Sequence, residues 1–167
     1  MNLIINVGNI ESAKENINKI KDNNYAPFDI RITNTHIVNL NKKIGKTIFR
    51  KDALYINSNT LCEIMHEGVG HGTHNYHGLT ANDIICSLQN ISNPSLVFKS
   101  KFNRLAILTI TLSHFDEPIL IVIELGAPLR GKINANIYKI VTMYPKSNID
   151  AFIDKTNKGD IIYKIKK

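Results

Sequence analysis

The sequence contains little that would indicate a disulfide scaffold or a membrane protein. Its 167 residues include only two cysteines, too few for a disulfide framework. No Cys-x-x-Cys pair is present to form a thiolate zinc knuckle. No apolar run reaches the roughly 18 residues needed to cross a bilayer, so we expect no membrane partner. The N-terminal MNLIINVGN has neither the basic region nor the length of a secretory signal.

Acidic residues are also scarce relative to basic ones. Fourteen Asp and Glu residues face 21 Lys and Arg residues, which gives a net charge of +7 and a pI near 9.4. This balance favours polyanionic partners such as RNA, DNA or acidic membranes, although it can also serve solubility alone. A content of 43% hydrophobic and 21% charged residues is typical of one folded domain, or of one domain with a short extension.

The order of predicted elements favours an α+β fold, with N-terminal helices packed on an antiparallel β-sheet. The spacing of apolar residues predicts four helices. They cover residues 11–22, a short segment capped by Ser58 or Asn59, residues from about 81 to 90 with a Thr80–Asp83 capping box, and residues from Ser147 to about 153. Alternating segments predict strands over 3–7, 28–40, parts of 47–56, 95–98, 104–113, 118–125, 136–144 and 160–165. The segment 28–40 could hold one strand or two, with Thr33-Asn34 as the break between them. A soft boundary separates residues 1–45, an extension or extra layer, from a domain over 46–167.

Histidines are concentrated in one short segment. Four of the six, His66, His71, His74 and His77, fall within twelve residues. Such a cluster suits proton transfer near neutral pH, could bind a metal, or could decorate a solvated loop. The zinc motif H-E-x-x-H would need a histidine where Gly70 stands, although the three-residue repeat could still converge on a metal. We favour acid–base or phosphate-binding chemistry, with the other two readings open.

Cations and hydroxyls that could bind phosphate lie in the C-terminal half. They are Lys99, Ser100, Arg104, Arg130, Thr142, Tyr144 and Lys146. Strand residues two apart share a face, so Thr142 and Tyr144 should point the same way, with Lys146 following if the strand continues. A solvated strand edge is the plain alternative. No P-loop spacing, catalytic carboxylate pair or G-x-S-x-G elbow is present.

Several motifs in order carry a family resemblance. They are ALYINSNT before a short helix, a histidine region closing with Tyr76-His77-Gly78-Leu79-Thr80, ANDIICSLQNISNPSLVFKS, the RLAILTITL and PILIVIEL hairpin, NIYKIVTMYPKS with Thr-x-Tyr-x-Lys, and GDIIYKIKK. Together they resemble phage and prophage members of the barnase–EndoU–colicin–RelE-like nuclease superfamily, including C-terminal domains of phage-head MuF-type proteins. The chain departs from the pattern at HEGVGHGTHN, an apparent insertion. His66, His71 and His77 therefore remain alternatives for the catalytic histidine.

The resemblance implies metal-independent RNA cleavage, in which the 2′-hydroxyl attacks phosphorus and leaves a 2′,3′-cyclic phosphate. It implies one catalytic histidine (His71, His77 or His66) with Thr142 and Tyr144 around the phosphate, and Lys99, Ser100, Arg104, Arg130 and Lys146 binding substrate. It implies no metal and no cofactor. Catalysis requires a group that removes the 2′ proton and another that protonates the leaving oxygen.

The biological role implied is a toxin-type endoribonuclease acting on tRNA or another RNA. Its site of action would be cytoplasmic, whether the protein acts where it is made or is secreted or delivered into a target cell. Such an enzyme would need an acidic immunity protein or antitoxin as partner. The alternatives are a non-catalytic RNA- or protein-binding module on the same fold, and a metal-dependent hydrolase that uses the histidine cluster.

Overall fold

The structure is a computed structural model and describes residues 3–22, 25–66, 76–128 and 136–166. Within these residues the helices are α1 (Ile10–Lys21), α2 (Asn34–Ile44), α3 (Ser58–Met65), α4 (Ala81–Gln89) and α5 (Ile149–Lys155), with a 3₁₀ turn at Lys158–Asp160. The strands are β1 (Leu3–Asn6), β2 (Phe28–Arg31), β3 (Leu54–Asn57), β4 (Pro94–Ser100), β5 (Arg104–Leu112), β6 (Pro118–Pro128), β7 (Asn136–Pro145) and β8 (Ile161–Lys164). The predicted α+β class is confirmed.

All eight of these strands join one sheet, in the order β1-β2-β3-β7-β6-β5-β4-β8. Strands β4 to β7 form an antiparallel meander, and β8 pairs antiparallel with β4. The sheet is mixed rather than purely antiparallel, because β1 pairs parallel with β2 and β3 pairs parallel with β7. Both parallel pairs are joined by long crossovers, as parallel pairing requires.

The larger apolar cluster lies on one face of the sheet, which we call the helical face. Ile107, Ile121 and Met143 from the strands are fully buried there, together with Leu61 of α3 and Leu88 of α4. Helices α1 and α2 contribute to the same cluster. Strands β1 and β2 contribute as well, so residues N-terminal to position 45 share one core with the rest of the chain.

A smaller cluster lies on the opposite face, which we call the α5 face. Leu108 and Leu120 are buried there, one residue out of phase with the helical-face side chains of the same strands. The helix α5 covers them, and its Phe152 ring lies 5.6 Å from the ring of Phe98. No helix in the described residues is both long enough and apolar enough to span a membrane.

The strand predicted from residue 28 is confirmed as far as Arg31. The strand predicted after the break at Thr33-Asn34 was wrong, because residues 34–40 form most of a helix. Strand β2 ends at Arg31, and the Thr33 side chain caps α2. Ile37 and Leu40 are both buried, which is a helical spacing of three. The helix runs to Ile44 and closes on Gly45 at φ 84°.

Three local predictions differ from the structure. The cap of α3 is Asn57, whose side chain accepts from the Thr60 amide at 2.8 Å, rather than Ser58 or Asn59. Residues 47–49 form no strand. Helix α5 follows Asn148 in the left-handed region without a side-chain cap, so the predicted Ser147 cap is absent.

Candidate active site at the end of strand β7

His77, the last residue of the histidine segment, lies against strand β7 at one end of the sheet. The His77 amide donates to the Ile64 carbonyl at 3.1 Å, which ties this segment to α3. The His77 ring lies 5.1 Å from the Tyr144 ring, with 39° between their planes. Burial lowers the pKa of His77 and raises the pKa of Tyr144. At neutral pH the imidazole is therefore uncharged and able to accept a proton, whereas the phenol keeps its proton.

A bulge in β7 places Thr142 on the same face of the sheet as Tyr144. The register shifts between Val122 and Ile123, so that Thr142 lies opposite Val122 and Tyr144 lies opposite Leu120. Val122 and Leu120 both belong to the α5 face, and cross-strand partners share a face. Thr142 Oγ1 is buried and has no hydrogen-bond partner among the described residues. Strand bulges occur often beside active sites, where they redirect a side chain.

A polar row crosses four strands beside Thr142. Ser100, Arg104, Glu124 and Lys139 are successive partners on β4, β5, β6 and β7. Thr142 belongs to the parallel row that includes Val122 and Ala106. On β5 and β6 the two rows are two residues apart, which is about 7 Å. Arg104 Nε is buried and without a hydrogen-bond partner in the described part of the chain. The sheet therefore brings Arg104 and Ser100 to the α5 face, where the sugar-phosphate backbone of a nucleic acid could pass Thr142.

The two predicted substrate lysines lie in different surroundings. Lys99 pairs with Leu105, a helical-face residue, so it projects from the opposite side of the sheet to Ser100 and Arg104. Lys146 follows the end of β7, and its Nζ lies 4.6 Å from the centroid of the Phe152 ring on the α5 face. The structure brings Lys146 to the side of Tyr144 and does not bring Lys99 there.

The histidines differ in their environment. His66 Nε2 lies 2.7 Å from the Ile20 carbonyl, so this ring ties the end of α3 to the end of α1. His71 and His74 lie outside the described residues, as does Arg130. In the described part of the chain, no three His, Cys, Asp or Glu side chains are grouped so that they could hold a metal ion. Among the described histidines, only His77 lies against Tyr144.

An Asp–His pair that the sequence reasoning missed lies at the same end of the sheet. The buried Asp83 carboxylate accepts from the Thr80 amide at 3.0 Å and from the His114 amide at 3.0 Å. His114 Nδ1 lies 2.5 Å from Asp83 Oδ2. Burial alone would raise the pKa of Asp83, but these hydrogen bonds outweigh it and the pKa is lowered. The sequence carried only the capping signal of Asp83, because His114 is 31 positions away.

Exposed aromatic rings lie between the Asp83–His114 pair and the residue after His77. The Phe115 side chain is 50% exposed, and its ring centroid lies 3.9 Å from that of His114. A Cβ on Gly78, at φ 65°, would lie 3.5 Å from Phe115 Cζ and 3.7 Å from the Tyr76 hydroxyl. The hairpin between β5 and β6 is thus in contact with the residue that follows His77.

A family model described as the phage MuF C-terminal domain matches residues 69–167, which is more than half of the chain. The matched segment contains α4, α5 and strands β4 to β8, and it includes His77, Thr142 and Tyr144. No curated protein and no solved structure matches this chain.

Proposed function

The chain belongs to the phage MuF C-terminal domain family, and from this premise we propose that it is a metal-independent endoribonuclease of the barnase–EndoU–colicin–RelE-like kind. Its substrate is tRNA or another structured RNA, and its role is that of a toxin-type effector. The contact between His77 and Tyr144, with their rings 5.1 Å apart, carries the proposal. This contact places a histidine beside the Thr-x-Tyr strand. RNA cleavage of this kind needs such a proton acceptor close to hydrogen-bond donors for the phosphate.

The proposed reaction is an internal transfer at phosphorus. The ribose 2′-oxygen forms a bond to the adjacent phosphorus while the bond to the 5′-oxygen of the next nucleotide breaks. Neutral His77 takes the 2′ proton, and the departing 5′-oxygen takes a proton from solvent. The products are a 2′,3′-cyclic phosphate and a 5′-hydroxyl. DNA lacks the attacking hydroxyl and cannot react in this way.

Hydroxyl donors support the charge that develops on the phosphate. Tyr144 keeps its proton because burial raises its pKa, which makes it a hydrogen-bond donor to a non-bridging oxygen. Thr142 Oγ1 is buried without a partner among the described residues, so its hydroxyl is available for a second such bond. Arg104, in the neighbouring row, would hold a flanking phosphate.

The test is incubation of the purified full chain with total tRNA and with DNA, with and without EDTA, followed by end-group analysis. We expect EDTA-resistant cuts in RNA alone, bearing 2′,3′-cyclic phosphate ends. The variant His77→Gln should abolish them, which also excludes a contaminating nuclease. Cleavage lost to EDTA would instead indicate a metal-dependent hydrolase using the histidine cluster. Salt-sensitive RNA binding without cleavage would indicate a binding module.

A neutralising partner follows from the proposed activity. A cell that makes an RNase of this type needs an immunity protein or antitoxin, and the net charge of +7 favours an acidic one. Such a partner would cover the α5 face near Tyr144 and Arg104, because blocking RNA from these residues is enough to stop cleavage.

A further inference from the structure

We propose that Phe115 and His114 form a stacking surface for an unpaired nucleobase beside the scissile phosphate. The inference rests on the proposed RNA-cleaving site and narrows its substrate to single-stranded or looped RNA. The base next to the cleaved bond would lie on these rings, while its phosphate lies at His77 and Tyr144.

The two rings are held in place although they are exposed. The His114 side chain is 43% exposed, whereas the Asp83 carboxylate that binds its Nδ1 is only 6% exposed. Asp83 also accepts from the His114 backbone amide at 3.0 Å. Phe115 lies against His114 with a centroid distance of 3.9 Å. A surface whose orientation is fixed before binding loses little conformational entropy when a base is added.

The composition and position of this surface favour a nucleobase over a protein side chain. Every base has a π-face, and flat rings such as phenylalanine, tyrosine and histidine are the usual stacking partners of unpaired bases. Phe115 is 50% exposed and Tyr76 is 40% exposed, and both lie against the backbone at Gly78, the residue after His77. A base seated here would therefore be adjacent to the reacting phosphate. A base paired in a duplex does not present its face in this way.

The experiment uses the full chain and an RNA that it cannot cleave. The probe is a short 2′-O-methyl oligonucleotide with one 2-aminopurine, whose fluorescence falls when the base stacks. The probe is used as a single strand and again after annealing to its complement. The variant is Phe115→Leu. The matched control is Phe102→Leu, an 82% exposed phenylalanine in the hairpin between β4 and β5, at the other end of β5.

We expect the single strand to bind with quenched fluorescence, and the duplex to bind without that quenching. Phe115→Leu should remove the quenching and weaken binding between about 5-fold and 150-fold, the range that one base–aromatic stack contributes. Phe102→Leu should bind as the wild type does. Unchanged quenching in Phe115→Leu, equal losses in both variants, or no binding of the probe to the wild type would each overturn the proposal.

Failure of this inference can be told apart from failure of the proposed function. If the wild type cleaves RNA but Phe115→Leu binds and quenches normally, the stacking surface is wrong and the nuclease stands. If the wild type does not cleave RNA, but it quenches the probe and Phe115→Leu alone loses this quenching, the stacking surface is correct and the protein is a binding module.

Discussion

At Thr142, stability and the proposed chemistry oppose each other. A buried hydroxyl without a hydrogen-bond partner costs about 1–3 kcal/mol, and Thr142 Oγ1 is in that situation among the described residues. A site residue that waits for a phosphate oxygen would carry such a cost. Arg104 Nε is in the same situation. Because Arg104 and Thr142 also share the α5 face through their register with β6, we assign both side chains to substrate rather than to the fold.

The substitution Thr142→Val should therefore stabilise the folded protein and slow RNA cleavage. We expect the free energy of unfolding to rise by about 1 kcal/mol, since the isosteric methyl needs no partner. Cleavage should fall about 100-fold, as for loss of one donor to a developing oxyanion. Urea unfolding and RNA cleavage rates measure the two effects.

Two threonines provide matched controls. Thr111 Oγ1 also lacks a partner in the described residues, so Thr111→Val should stabilise without loss of cleavage. The Thr109 hydroxyl donates to the Ile119 carbonyl at 3.0 Å, so Thr109→Val should cost about 1 kcal/mol. Wild-type cleavage by Thr142→Val would exclude its hydroxyl from the reaction.

His77 should determine the acidic limb of the pH profile. Burial lowers its pKa, so kcat/KM should rise with pH through a midpoint below the ordinary value of about 6.5. His77→Gln should lose at least 100-fold. His66→Gln should cleave normally but lose about 1 kcal/mol of stability, since it removes the bond to the Ile20 carbonyl. A normal rate in His77→Gln with a loss in His66→Gln would reverse the assignment.

The same shift has a consequence for stability. Because the folded pKa of His77 is below the unfolded one, the unfolded chain binds more protons once the pH falls below about 6.5. The contribution of His77 to stability is therefore present above that pH and is lost as the pH falls through the folded pKa. The difference in unfolding free energy between wild type and His77→Gln, measured from pH 8 to pH 5, should follow this curve.

At the scale of elements, the start of α4 and the hairpin between β5 and β6 act as one unit. Asp83 completes the capping box with Thr80 and also holds the backbone and ring of His114. One buried carboxylate thus fixes the hairpin that carries Phe115 relative to the segment that carries His77. This coupling explains how an exposed hairpin keeps a defined position beside the site.

Asp83→Ala should cost about 2–3 kcal/mol, because it removes one half of the capping box and the charge-assisted hydrogen bonds from the Thr80 and His114 amides. Since the folded pKa of Asp83 is lowered, its contribution is present above the ordinary value of about 3.9 and is lost as the pH falls through the folded pKa. Asp116→Asn, on the exposed hairpin at φ 58°, should change stability by less than about 0.5 kcal/mol. Thermal unfolding at pH 7 and pH 3 tests both, and equal effects of the two variants would contradict the anchoring role.

At the scale of the whole molecule, the N-terminal segment is built into the sheet. Ile17, Ile30 and Leu40 are fully buried in the same cluster as Ile121 and Met143. The boundary near residue 45 stays a prediction, but a chain over 46–167 would expose this apolar surface. We expect that fragment to unfold or aggregate, as judged by circular dichroism and gel filtration, whereas the full chain folds. A cooperative melt of the fragment would establish an independent C-terminal domain.

Charge is unevenly distributed over the molecule. A groove of about 750 Å³ follows α2, with Lys42, Lys46, Arg50 and Lys51 among its lining residues. Within the described part of the chain, no carboxylate lines this groove. The groove precedes the family-matched segment. Under the proposed function, we infer that it adds a contact to the phosphate backbone of the RNA.

Removing three of these charges should weaken RNA binding and make the affinity less sensitive to salt. We expect Lys42→Ala/Lys46→Ala/Lys51→Ala to lower the slope of log Kd against log salt by about 2, close to 0.7 per phosphate contact on single-stranded RNA. The control changes Lys14, Lys19 and Lys21 of α1 to alanine, with equal loss of net charge. Equal slopes for the two triple variants would mean that the groove makes no specific contact.

Local sequence patterns predicted the features whose partners are close together in the chain. The Thr80–Asp83 capping box was predictable because its partners are three residues apart. The meander from β4 to β7 was predictable from alternation and short turns. The segment from Asn34 to Leu40 was not, because its apolar residues fit both a helical and a strand period, and only burial of Ile37 with Leu40 decided between them.

The assembly of the site depends on contacts between distant parts of the chain. The His77–Tyr144 contact, the Asp83–His114 pair and the placement of Thr142 each depend on strand order, register and one bulge. These features join residues that are far apart in the chain and leave no periodic signal in it. Residue types and local spacing could therefore name Thr142, Tyr144 and His77 as candidates, whereas their meeting, and the part of Asp83 and His114, required the packed sheet.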